Sequence, residues 1–124
     1  MAVEFEITDR KVDDETHVIA VTGEIDLFTA PEFKQRMSEL IDAGRSRLVV
    51  DLSETTFIDS SSLGVLIGAH RRLKLRGGAL LVVCASEPIA KTFKITGLDG
   101  VFTIAPSVDA ALSRAAPADE AATG

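Results

Sequence analysis

Three consecutive hydroxyl side chains, Ser60, Ser61 and Ser62, follow Asp59 directly and precede Leu63-Gly64. No other stretch sets three serines in a row. Upstream lies Asp51-Leu52-Ser53-Glu54-Thr55-Thr56, and downstream the apolar spacing turns helical, so the group stands at a strand-to-helix junction. Two kinds of chemistry suit it. Asp and Ser side chains accept from the first free amides of a helix, which would make the segment a cap. One or two residues suffice for that, leaving hydroxyls to spare. A helix N-terminus also offers unpaired N–H groups and a positive dipole end, which suits a phosphate or another anion. On the residues alone both readings stay open.

Other chemistries find less support. The serines are not set in Gly-x-Ser-x-Gly, so no strained nucleophile elbow is expected. His17 falls in a predicted strand and His70 on a predicted core-facing helix stripe, and both read as packing histidines. Gly77-Gly78 lacks the Gly-x-x-x-x-Gly-Lys context of a phosphate loop and reads as a helix end with a turn. Gly97-Leu98-Asp99-Gly100 reads likewise. Cys84 lies in an apolar run with no basic neighbour, as a buried, inert thiol would. Asp51 ends a buried strand, as a phosphoacceptor aspartate does. That chemistry needs an acidic pair at the end of the first strand, where Asp9-Arg10 offers one acid. Two His and one Cys are a poor pool of metal ligands, so no metal and no cofactor is expected.

The elements that must position the serines follow from periodicity. Val3, Phe5 and Ile7 alternate with polar residues, and Val18 to Thr22 is apolar on both faces; the polar link Asp9 to Thr16 makes a hairpin of the two. Thr29 before Pro31-Glu32 marks a helix start, Phe33, Met37, Leu40 and Ile41 give its apolar face, and Gly44 its end. Leu48 to Leu52 reads as a buried strand. A helix then carries Leu63, Leu66, Ile67, His70 and Leu73 as its core stripe, up to Arg76. Ala79 to Ala85 is a second buried strand, Ser86-Glu87-Pro88 opens a helix with Ile89, Phe93 and Ile95, and Val101 to Ile104 is a last strand. Pro106 to Ala116 forms a final helix. The order β-β-α-β-α-β-α-β-α predicts one α/β domain over 1–116, with about four helices. Its mixed sheet has about five strands, a leading antiparallel hairpin and a mostly parallel remainder. Residues 117–124 read as a flexible tail.

Composition narrows the function classes. The chain has 124 residues, 46% hydrophobic and 26% charged, as an ordinary globular domain has. Its net charge of −6 argues against nucleic acid and against an anionic membrane surface as partner. The longest apolar run is far too short to span a bilayer, and the acidic start lacks the basic region of a signal peptide. A soluble, cytoplasmic protein is expected.

The sequence resembles the STAS domains of bacterial anti-sigma factor antagonists from about Val3 to Leu112. The likeness rests on Gly23-Glu24-Ile25-Asp26, Val49-Val50-Asp51-Leu52-Ser53 and Phe57-Ile58-Asp59-Ser60-Ser61. It continues through Leu63-Gly64, Gly77-Gly78-Ala79-Leu80, and Phe93 followed by Gly97-Leu98. The resemblance implies a regulatory switch in stress-response transcription rather than an enzyme. In that family the unphosphorylated antagonist binds an anti-sigma factor, typically a serine kinase, and frees the sigma factor. The kinase phosphorylates the serine after the motif aspartate, here Ser60, and a metal-dependent serine/threonine phosphatase reverses this. Ser61 matches the family's second serine, and Ser62 stands where the family most often has Gly; these two are the secondary acceptor candidates. A monomer or weak homodimer is expected. The alternative is a structural or ligand-sensing STAS module within a larger stress-signalling assembly.

Charge and shape fit such a switch. A phosphate on Ser60 adds about −1.5 to −2 charge where a helix dipole tolerates it, so its effect would fall on binding rather than on folding. Asp26 and Asp59 would add repulsion nearby. Val65, Gly68 and Arg72 lie off the predicted core stripe. Together with Asp26, Asp59, Ser60, Ser61, Leu63 and Gly64, these three make up the predicted partner-binding surface.

Overall fold

The computed structural model describes residues 4–115. Val3, residue 116 and the expected tail 117–124 lie outside the described residues. Strands Glu6–Lys11 (β1) and Thr16–Ile25 (β2) pair antiparallel, from Glu6 opposite Thr22 to Lys11 opposite His17. The hairpin link is shorter than Asp9 to Thr16, because Asp9, Arg10 and Lys11 belong to the strand. Their charge is tolerated because β1 is an edge, where exposed charged side chains also discourage pairing with another chain. Asp13 closes the turn, its carboxylate accepting from the N–H groups of Glu15 and Thr16.

Helix Ala30–Asp42 (α1) leads to strand Arg47–Asp51 (β3), which pairs parallel with the first half of β2. Strand Thr55–Ile58 (β4) follows, then helix Ser60–Leu75 (α2) and strand Ala79–Val83 (β5). Helix Glu87–Thr96 (α3), a short 3-10 turn, strand Thr103–Ala105 (β6) and helix Val108–Ala115 (α4) complete the fold. The sheet order is β1-β2-β3-β5-β6, parallel from β2 onward, with β4 paired to β2 beyond the end of β3.

Strand β4 makes the sheet six-stranded where five were expected. It is four residues long, with Thr55 and Ile58 buried and the two between exposed, so neither an apolar run nor strict alternation announces it. It exists because the chain bends. Gly23 is buried with φ of 94°, a conformation open to glycine, and the β2–β4 register shifts between Gly23 and Glu24. The Thr55 hydroxyl donates to the Val21 carbonyl at 2.8 Å and pins the start of β4 to β2.

Strand alternation divides the core. Leu48 and Val50 of β3 and Leu80 and Val82 of β5 join Phe33, Met37, Leu66, Leu73, Ile89 and Phe93 beneath α1, α2 and α3. Val49, Leu81 and Val83 face the other way, against Ala111 of α4. Phe33 and Phe93 have no exposed surface, and truncating either to alanine would cost about 3–5 kcal/mol.

Three local readings need correction. The buried residues of α2 are Ser62, Leu66, Ala69 and Leu73, so the stripe is rotated from the expected one. Leu63, Ile67 and His70 are half-buried at its margin. The small residues Ser62 and Ala69 take two of the four buried positions, which apolar spacing alone does not reveal. Ile95 is 73% exposed rather than core. Ser86 makes no side-chain bond to its helix, while Pro88 in the first turn fits it.

Candidate functional site

Asp26 directly follows Ile25 at the end of β2, and Asp59 directly follows Ile58 at the end of β4; Ile25 and Ile58 are register partners. Both aspartates use the same device. Asp59 Oδ1 accepts from the N–H groups of Ser61 (2.9 Å) and Ser62 (3.3 Å), and Ser62 Oγ accepts from the N–H of Asp59 (2.8 Å). This reciprocal pair is a capping box, closed by Ser in place of the commoner Glu or Gln. Asp26 Oδ1 accepts from the N–H groups of Phe28 (2.9 Å) and Thr29 (3.1 Å), while Thr29 Oγ1 accepts from the N–H of Asp26 (2.8 Å). Thr29 therefore does not cap α1 with its side chain, as its position suggested. Its hydroxyl turns back and donates to the Glu24 carbonyl at 2.9 Å. The Thr29 and Phe28 amides hold the Asp26 carboxyl below the usual aspartate range.

The cap settles how the hydroxyls divide. Ser62 is fully buried and its hydroxyl is engaged in the box. Ser60, the first residue of α2, is exposed; Ser61 is half-buried. Neither of their hydroxyls takes part in the capping bonds. The reading of a cap with hydroxyls to spare thus describes the segment, with Asp59 and Ser62 as the working pair.

Beside the serines, α1 and α2 leave an open groove of about 500 Å³. Five of the expected partner-binding residues line it: Ser61, Gly64, Val65, Gly68 and Arg72. Val65 also packs against the core, half-buried. Leu63 lies outside the groove and packs into the core margin. Asp26 and Asp59 stand just past the strand ends and Ser60 at the start of α2, outside the lining. Arg72 bridges the helices through an ion pair with Asp42 of α1, worth at most about 1 kcal/mol on an exposed surface.

Sequence reasoning missed the opposite wall. Ala30, Met37 and Ile41 of α1 line the groove with Lys34 on its rim, and Leu27 closes one end. Leu27 and its neighbour Phe28 are 69% and 87% exposed. Two large apolar side chains projecting from a tight turn form an exposed apolar patch. The available signal was Leu27-Phe28 itself, an apolar pair between Asp26 and Thr29, both turn-forming residues.

The remaining candidates are occupied structurally. Asp51 accepts from the Ser53 N–H (3.0 Å) and hydroxyl (2.6 Å) in a turn of its own. His17 Nε2 bonds Asp9 Oδ1 at 2.8 Å, and Arg36 of α1 pairs with the same carboxylate, which these two partners hold below the usual range. Burial raises the Cys84 thiol. Gly77, with φ of 74°, turns the chain out of α2, and Gly78 is needed for another reason: a Cβ there would meet the Ser46 carbonyl at 2.0 Å. No described helix is long and apolar enough to cross a membrane.

A parallel-rich sheet under α1 to α3, with a capped Asp-Ser-Ser helix start at its edge, defines a class that comparison makes specific. The STAS domain family model matches residues 8–111, and the chain belongs to the STAS domain family. It is 35% identical over 105 residues to an anti-sigma-B factor antagonist of Listeria monocytogenes, covering 84% of this chain and 90% of that protein. Among solved structures it resembles an anti-sigma factor antagonist from Mycobacterium paratuberculosis, with a TM-score of 0.79 at 29% identity over 92% of this chain and 94% of that one. It also resembles the anti-sigma factor antagonist SpoIIAA in its unphosphorylated form, with a TM-score of 0.75 at 26% identity over 90% and 95% of the two chains.

Proposed function

We propose that this chain is an anti-sigma factor antagonist working in the cytoplasm. Its unphosphorylated form binds a kinase-type anti-sigma factor and releases the sigma factor; phosphorylation of Ser60 ends the binding, and a metal-dependent serine/threonine phosphatase restores it. The relatives named above support the antagonist role. The observation that carries the switch is the division of labour among the serines: Ser62 is buried in the cap, whereas Ser60 is exposed outside it.

The amides that a phosphate on Ser60 would approach are already partly taken by Asp59. A phosphate there adds to the carboxylate rather than replacing it, and the local charge becomes strongly negative beside the exposed Leu27-Phe28 turn. Binding through that surface then suffers from repulsion and desolvation, while the cap and the fold remain. Incubation with the cognate kinase-type anti-sigma factor and ATP, followed by phosphopeptide mapping, tests this. Phosphate on Ser60 is the expected result; phosphate confined to Ser61 overturns the assignment.

A further inference from the structure

Gly64 and Gly68 stand four residues apart on the exposed side of α2. Neither has the positive φ that requires glycine, and a Cβ built on either meets no heavy atom within 4 Å. Nothing inside the described structure asks for glycine at these positions, and glycine is a poor residue for a helix interior. Both line the groove between α1 and α2, where they leave the backbone of α2 uncovered as part of its floor.

We infer that this groove receives an amphipathic helix of the anti-sigma factor, seated against bare backbone at Gly64 and Gly68, with a carboxylate on its flank that pairs with Lys34. The inference rests on the antagonist reading and specifies the surface through which it works. The two glycines are about 6 Å apart along the axis, close to one helical turn, which matches an apolar ridge of i, i+3/i+4 side chains. Opposite them, Leu27 and Pro31 supply exposed apolar surface, with the almost wholly buried Met37 and Ile41 at its base. Charge selects the partner's flank. Arg72 on the α2 lip is engaged with Asp42, whereas Lys34 on the α1 lip is exposed and makes no ion pair among the described residues. A positive rim on a chain of net charge −6 favours an acidic group there.

The test uses the full chain and the purified kinase-type anti-sigma factor from the same genome that wild-type protein binds in titration calorimetry. Gly64→Ala, Gly68→Ala and the double variant are each titrated and melted, together with Lys34→Glu. Each alanine is expected to raise Tm by roughly 4 °C. The double variant should bind at least tenfold more weakly, and Lys34→Glu likewise with Tm unchanged. Higher Tm with undiminished affinity overturns the groove assignment and leaves the antagonist reading standing. Lower Tm in the alanine variants overturns it too, by giving the glycines an internal role. A wild-type dimer that the alanine variants abolish assigns the groove to a second copy instead. If no anti-sigma factor binds wild type, the antagonist reading itself falls, and this inference with it.

Discussion

Ser62 Oγ lies 3.0 Å from the carbonyl oxygen of Ile25, tying the first turn of α2 to the last residue of β2. The same oxygen accepts from the Asp59 N–H, so one buried hydroxyl joins the two strand ends from which Asp26 and Asp59 project. The Leu27-Phe28 turn, the exposed serine and the groove are thereby held in one geometry. A glycine at position 62 would supply neither bond.

Ser62→Ala removes the hydroxyl from a fully buried site and leaves the Asp59 amide without its acceptor. A loss of about 1–2 kcal/mol in urea unfolding is expected. Ser62→Thr should recover part of it only where the extra methyl can be accommodated in the packed start of α2. An alanine cost under about 0.5 kcal/mol would show that the tie contributes little.

The proposed serine switch predicts opposite outcomes for two replacements. Ser60→Ala should bind the anti-sigma factor nearly as well as wild type and resist inactivation by ATP. Ser60→Asp should bind at least tenfold more weakly, about 1.4 kcal/mol, while unfolding cooperatively with stability within about 1 kcal/mol of wild type. Equal affinities across the set would remove Ser60 from the mechanism.

Phe28 is 87% exposed, so Phe28→Ser should change stability by no more than about 0.5 kcal/mol. Binding should fall more than tenfold if the aromatic ring anchors the partner. Calorimetry beside a urea titration separates the two effects, and unaltered affinity would move the contact surface away from the turn.

His70 gives a pH dependence with a definite sign. Burial, aided by Lys74 and Arg71, lowers its pKa, and its Nδ1 is buried without a hydrogen-bond partner. The neutral ring packs edge-on against Phe102 at 5.5 Å between centroids. A histidine whose folded pKa is depressed stabilises fully above its unfolded pKa of about 6.5, and that contribution is lost as pH falls through it. Unfolding free energy measured from pH 8 to pH 5 should therefore decline less in His70→Gln than in wild type. Identical slopes would exclude this histidine as the source.

Periodicity made most elements legible. The apolar runs at Leu48 to Val50 and Ala79 to Val83 are strands because both faces of the sheet are covered, and Phe33, Met37 and Ile41 gave α1 its buried side. What escaped depends on partners distant in sequence. Thr55–Ile58 becomes a strand only because β2 bends at Gly23 and presents a free edge. Ser62 joins the buried stripe because its hydroxyl finds the Ile25 carbonyl across 37 positions of chain. The site divided in the same way. Asp59 and the serines declare themselves by local chemistry, whereas the α1 wall of the groove required the packing of two helices.

The two faces of the sheet are protected unequally. Three helices cover one face, while α4, eight residues long, covers Val49, Leu81 and Val83 on the other. A helix that short has little stability of its own and depends on its packing against the sheet and on the bond from Arg114 to the Ile104 carbonyl. Transient detachment of α4 would open the central strands to solvent without disturbing the serine cap, so its amides should exchange with deuterium well before those of β3 and β5. The same opening would uncover Val49, Leu81 and Val83, aliphatic side chains suited to sticking to one another, so the docking of α4 would guard against self-association during storage and overexpression.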